Sequence, residues 1–334
     1  MTATTKPLAA LSIDLDDLWA YMKTAGLPGW QEHPSYLAIA IPRIRAIFER
    51  HGVRLTVFVV GRDARRRENR EGLAGLAADG HEIGNHSFEH ESWLSRRPRH
   101  VIAADLEAAE EAIAQATGRR PVGFRAPSFG LSHNLLSVLA ERGYLYDAST
   151  FPTFLGPLAR AYYNLRSGPG SGVSDNRKLL FGSIRDGLRP ITPYVWEIGG
   201  RSLIEMPVTT FPGFRAPVHF TYLIFLAGLS PLLAESYLRT ALAACRLAGV
   251  APSLVLHPLE FLDAQEAPAL RFFPGMGIPL AVKLGLVERA LRLLTDGFEV
   301  VPMREHAERV ARTRLRSRRP AFAADHEILE PITS

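Results

Sequence analysis

Residues 8–17 read Leu-Ala-Ala-Leu-Ser-Ile-Asp-Leu-Asp-Asp. A short apolar run of this kind reads as a buried strand, and it runs directly into carboxylates. An open doubly wound sheet normally carries a Gly-rich phosphate loop after its first strand, and here acids stand in that place. Further short apolar or alternating runs lie at 54–60, 82–84, 122–125, 144–147, 203–206, 253–257 and 298–302. Helical patterns lie between most of them, at 36–51, 70–79, 99–117, 133–142, 232–247 and 280–295. Gly52, Gly80, Gly118, Gly143 and Gly249 follow helical runs where a left-handed C-cap is needed. Strand then helix, repeated, implies parallel strands with crossover helices. Seven or eight such units close into a barrel whose working face is the C-terminal end of its strands.

Composition bounds the function classes. The chain has 334 residues, 47% hydrophobic and 22% charged, which excludes disorder as the main state. Its formal net charge of +5 is local, because residues 304–319 hold seven Arg against two Glu. A nucleic-acid protein spreads basic residues over a working face, so that class is not supported. Cys245 is the one cysteine, so neither an intrachain disulfide nor a multi-cysteine metal site forms. The apolar run between Lys6 and Asp14 is shorter than a signal-peptide core, and a cytoplasmic location is expected. Residues 216–234 carry no Asp, Glu, Lys or Arg, yet Pro217, His219, Gly228, Ser230 and Pro231 interrupt them. A buried helix pair or a membrane-facing surface is expected there rather than a span.

One stretch breaks the rhythm. Residues 150–201 are rich in Pro, Gly and Ser and show no sustained period, but Tyr162, Tyr163, Phe181, Tyr194 and Trp196 make them too aromatic for a linker. The expected organisation is one barrel domain over residues 1–312, with this stretch as an inserted binding loop or lid, and a flexible basic tail over 313–334.

Four strand ends carry polar chemistry. Asp14 and Asp16, two apart, project from one face of the first strand, which suits cation binding or proton transfer; an acidic turn capping the next helix is the plainer alternative. In His86-Ser87-Phe88-Glu89-His90 the imidazoles fall on one side of a helical turn and reach one metal. With one carboxylate they make a set that leaves coordination positions open for water and substrate. Two unrelated surface histidines remain the alternative for the spacing alone. Arg125 ends an apolar strand where a carboxylate partner is expected, and His257 ends another just before Pro258.

Taken in this order, the clusters resemble the motifs of the polysaccharide deacetylase (NodB-homology) family of metal-dependent carbohydrate N-deacetylases. The resemblance implies an α/β fold, a distorted parallel (β/α) barrel of about seven strands. It implies a base role for Asp14 and a metal-ligand role for Asp16, with Asp17 as rival for either, and metal-ligand roles for His86 and His90. Arg125 and Pro127 match the family's Arg-x-Pro motif, with Arg125 holding the base, and Pro127 and Phe129 are expected to meet substrate. His257 resembles the late general-acid histidine, and Asp147 the aspartate that supports it.

The implied cofactor is one divalent metal ion. Nitrogen and oxygen ligands with open positions suit zinc, with iron, cobalt and nickel as alternatives. The expected reaction removes an N-acyl group, acetyl above all, from an amino sugar in a glycan or a lipid-linked sugar. A hydrolase of a non-sugar amide and a silent carbohydrate-binding protein are the alternatives. Phe214, Phe220, Tyr222, Leu223, Phe225 and Leu226, with Arg314, Arg316, Arg318 and Arg319, form the expected peripheral contact with the inner face of a membrane.

Overall fold

The computed structural model describes residues 6–155 and 184–322. Strands β1 (Leu8–Leu15), β2 (Thr56–Val59), β3 (Glu82–Asn85), β4 (Gly123–Phe124), β5 (Tyr146–Asp147), β6 (Tyr194–Ile198), β7 (Arg201–Glu205), β8 (Ser253–Leu256), β9 (Glu299–Val301) and β10 (Ser317–Arg318) form one sheet. Seven of them are parallel neighbours in the order β8-β1-β2-β3-β4-β5-β7. The first strand therefore lies between the second and the eighth, the arrangement of a row that curls on itself. The ladder is not continuous between β7 and β8. One residue ties its ends: Thr209 donates from its backbone N to Ser253 O at 3.0 Å and accepts from Ser253 N through its hydroxyl at 2.5 Å. The fold is a distorted parallel (β/α) barrel, as expected.

Helices α1 (Leu18–Ala25), α2 (Leu37–Arg50), α3 (Gly61–Arg65), α4 (Arg67–Ala78), α5 (Arg99–Thr117), α6 (His133–Arg142), α7 (Phe220–Leu229), α8 (Pro231–Leu247), α9 (Leu280–Gly297) and α10 (Met303–Val310) complete the described fold. Local chemistry sets their limits. Ser132 caps α6 by accepting Leu135 N at 3.1 Å, and Gly143 ends it with φ +77°. One face of α2, with Leu37, Ile41, Ile44 and Phe48, is buried with Ile13 and Leu15 of β1. Each such side chain contributes roughly 1.5–3 kcal/mol at full burial.

Register decides where the chemistry stands. Ser12 lies opposite Thr56 and Val255, Asn85 opposite Phe124, Phe124 opposite Asp147, and Asp147 opposite Glu205. Parallel strands in this register bring Asp14, His86, Arg125, Asp147 and His257 to one end of the barrel.

The structure corrects several expectations. The stretch 150–201 is not loop throughout, because β6 forms an antiparallel hairpin with β7 across Gly199-Gly200. Tyr194, Trp196 and Ile198 are its buried face, a period of two hidden by the surrounding Pro and Gly. Tyr162, Tyr163 and Phe181 lie outside the described residues. Ser317–Arg318 pairs with β6, so residues 313–322 begin packed against the barrel; Arg318 lies 6.0 Å from the Tyr194 ring. Residues 216–234 form two helices that meet at Ser230, and Phe220 and Leu223 are core residues rather than surface. Phe214, Phe225, Leu229, Leu232 and Leu233 are the exposed apolar side chains of that region. Among the described residues, no helix is long and apolar enough to cross a membrane.

Candidate metal centre and its acid–base pair

Asp14 and Ser12 share the inward face of β1, and both meet Arg125. Its Nη1 donates to Asp14 Oδ1 at 2.5 Å and to Ser12 Oγ at 2.8 Å, while Nε donates to Ala148 O at 3.1 Å. Arg125 is fully buried, with its guanidinium 4.3 Å from the centre of the Phe58 ring. Phe58 has room only because residue 84 is glycine: a Cβ there would stand 2.6 Å from its ring. Burial of this kind makes the pair demanding, since either partner alone would be an uncompensated charge.

Asp16 and Asp17 diverge. Asp17 caps α1, its Oδ1 accepting Leu18 N at 2.8 Å and Tyr36 N at 3.0 Å. Burial holds the Asp17 carboxyl up at about 6. Asp16 turns instead toward the histidines, with its backbone oxygen held by Tyr36 Oη at 2.7 Å. Its Oδ1 lies 3.2 Å from His86 Nε2 and 3.1 Å from His90 Nε2. One ligand atom from each of the three lies within 4.8 Å of the others.

The turn that brings the imidazoles together is not helical. Ser87 and His90 have φ of +65° and +45°, a conformation that costs of order 1–3 kcal/mol each and must be held by its surroundings. Asn85 Oδ1 accepts Ser87 N at 2.8 Å, and Ser87 Oγ accepts His90 N at 3.1 Å. From α5, Asp105 accepts Phe88 N at 2.8 Å and Glu89 N at 3.1 Å. The His86 Nδ1–H donates to Arg125 O at 2.7 Å, so that in the neutral ring Nε2 is the unprotonated nitrogen and faces Asp16.

These atoms fit a divalent cation. Asp16 Oδ1 is buried without a hydrogen-bond partner although two ring nitrogens stand next to it. Burial disfavours the ionised Asp16 carboxylate, but His90 and His86 outweigh it and hold its pKa well below the usual carboxylate range. Two imidazole nitrogens and one carboxylate oxygen are the donor set of an open zinc-type site.

His257, directly after β8, places Nε2 3.9 Å from Asp14 Oδ2. Its ring centre is 5.1 Å from that of His219, which the sequence reading did not single out. His219 is buried, accepts Thr221 N on Nδ1 at 3.3 Å, and packs 6.3 Å from Phe129 and 5.9 Å from Phe151. Burial, with the charges of His257 and Arg125, keeps its pKa well below the ordinary histidine value. Phe129 adopts φ +58° just after Ser128 at +55°, and Pro127 is buried behind them. Phe129, Phe151 and His219 thus form an aromatic wall beside His257.

The partners of Asp147 are Ser149 and its strand neighbour Glu205. Ser149 Oγ donates to Asp147 Oδ1 at 2.6 Å and accepts Ala126 N at 2.8 Å, so Asp147 steadies the loop that carries Arg125. Its carboxyl neighbour is Glu205, directly opposite on β7, and burial pushes both carboxyls up. The acid that holds the His257 main chain is Glu260, which accepts the His257 N–H. A His-Pro-x-Glu capping pattern was its sequence signal; Tyr36, Asp105 and His219 left none that a single chain displays.

A family model for polysaccharide deacetylase matches residues 35–146. The chain is 30% identical over 148 residues to the peptidoglycan deacetylase-like protein FGM2 of Gibberella zeae, covering 43% of this chain and 39% of that protein. It is 25% identical over 149 residues to the peptidoglycan deacetylase of Helicobacter pylori, covering 42% and 49%. The match spans less than half the length of either relative. In fold, a Mycobacterium smegmatis crystal structure described as a polysaccharide deacetylase superposes with a TM-score of 0.63 at 23% identity, over 97% of this chain and 96% of that one.

Proposed function

We propose that the chain belongs to the polysaccharide deacetylase family, whose model it matches over residues 35–146, and is a metal-dependent hydrolase removing an N-acyl group, acetyl first among them, from an amino sugar. The observation that carries this reading is the convergence of Asp16, His86 and His90 next to an acid–base pair, Asp14 and His257, on one barrel end. Asp16, His86 and His90 would hold the ion, zinc by its donor set, with iron, cobalt or nickel as alternatives. When bound, the ion supplies Lewis acidity to a water and to the acyl oxygen. Asp14, fixed by Arg125, takes the proton of the attacking water. His257 donates a proton to the departing amine nitrogen, without which an amide nitrogen is a very poor leaving group. The aromatic wall of Phe129, Phe151 and His219 suits the flat face of a sugar ring beside the scissile amide.

The apolar corner with Phe225, Leu229, Leu232 and Leu233 favours a lipid-linked sugar over a free polymer as the source of that amide. The deciding experiment presents the metal-loaded protein with N-acetylglucosamine oligomers and with a polyprenyl-linked N-acetylhexosamine, and measures acetate release. Release from either, abolished by chelation and restored by zinc, supports the reading. Absence of release from every N-acylated sugar offered overturns it.

A further inference from the structure

Beside His257 lies a cavity of about 10 Å³, which Asp14 does not line. That is room for about one water. Its lining includes Tyr21, Thr221, His257, Glu260 and Lys283. His257 Nδ1 is buried and makes no hydrogen bond of ordinary geometry, although the Glu260 backbone N–H of the capping box stands near it. A nitrogen in that state costs free energy unless a partner reaches it, and Thr221, Glu260 and Lys283 supply polar groups in a pocket otherwise walled by Ile224, Leu259 and Phe273.

Glu260 is 3% exposed, and its carboxylate is held on two sides by the His257 N–H and, at 3.3 Å, by Thr221 Oγ1. Lys283 from α9 is 1% exposed and donates to Leu259 O at 2.8 Å. It therefore brings a positive charge to the back of the same pocket. A buried Lys–Glu–His arrangement around space for one water is far from what packing alone selects, since apolar residues would fill the volume at lower desolvation cost.

We infer that Glu260 is a positioning residue for His257: its carboxylate fixes the His257 main chain and, through one water in the cavity, accepts from the Nδ1–H of the imidazole. Nε2 is then the nitrogen turned to Asp14 and to the departing amine, and the positive charge His257 carries as an acid faces a carboxylate. Glu260 takes the part expected of Asp147, which the fold commits to Ser149 and Glu205. The other charged or titratable groups around His257 are Asp14 on β1, Arg125 after β4, His219 before α7, Tyr21 on α1 and Lys283 on α9. This inference rests on the proposed acid role of His257, but its placement of the proton does not.

The test is ¹⁵N-imidazole NMR of the zinc-loaded full chain, assigned with His257→Gln, alongside acetate-release kinetics. In the unsubstituted protein, neutral His257 carries its proton on Nδ1. Glu260→Gln, with zinc content and melting curve as folding controls, shifts it toward a mixture of tautomers. The alkaline limb of kcat moves down by about one pH unit, the low end of the effect of a nearby opposite charge, while KM changes little. An Nε2–H tautomer in the unsubstituted protein overturns the inference, and needs no variant to fold. An unchanged tautomer and pH profile in a folded Glu260→Gln protein overturns it as well. A tautomer shift in a protein that releases acetate from no substrate upholds the role of Glu260 and sinks the deacetylase reading instead.

Discussion

His257 Nε2 stands 3.9 Å from Asp14 Oδ2, so a side chain of β1 and one just after its neighbour β8 face each other at one end of the barrel. Arg125 occupies the other oxygen of the same carboxylate at 2.5 Å. This leaves Asp14 Oδ2 as the oxygen that faces His257.

Replacing Asp14 by Asn is expected to lower kcat by about a hundredfold to ten-thousandfold, the range of a general base, with metal content retained. Asp16→Asn is expected to lose metal and activity together. Elemental analysis beside acetate-release assays checks both; metal loss in Asp14→Asn would reverse the assignment.

His86→Ala and His90→Ala should each leave less than stoichiometric zinc after dialysis, because two donors cannot hold the ion as three do. Isothermal titration with zinc measures the change. Unchanged affinity in both variants would remove the cluster from the account.

Asp105 touches no ligand atom, yet it holds the 86–90 turn through the backbone of Phe88 and Glu89. Asp105→Ala should weaken zinc binding by about 10–100-fold, the usual effect of an outer-shell support. Asp105→Asn, which keeps an acceptor, should lose less.

The Asp147–Glu205 pair gives stability a pH dependence of known sign. Both carboxyls are held above their ordinary values by burial. A raised carboxyl contributes stability in full below its unfolded value and loses it as pH rises through the folded one. Thermal melts across pH 4 to 9 should therefore show the native protein falling more steeply with rising pH than Glu205→Gln, whose amide can donate to an ionised Asp147. Parallel curves would show that the pair holds no shared proton.

The barrel was legible because its signals are local. Apolar runs at 8–15 and 253–256, glycine C-caps such as Gly143, and polar residues at strand ends all follow from one-dimensional chemistry. What escaped depends on partners distant in sequence. The turn at His86–His90 is held by Asp105 from the next helix, so the two imidazoles converge through a non-helical backbone that their spacing alone does not reveal. Asp147 carries the chemistry of a histidine partner, but its strand neighbour Glu205 claims it. Phe220 and Leu223 are apolar enough for a membrane surface, and only packing places them in the core.

The most direct test is acetate release from N-acetylglucosamine oligomers and a polyprenyl-linked N-acetylhexosamine, measured on the zinc-loaded, the chelated and the His86→Ala protein in parallel. The account predicts turnover in the first alone, restored to the second by adding zinc. Equal turnover in all three, or none in the zinc-loaded protein, would contradict it.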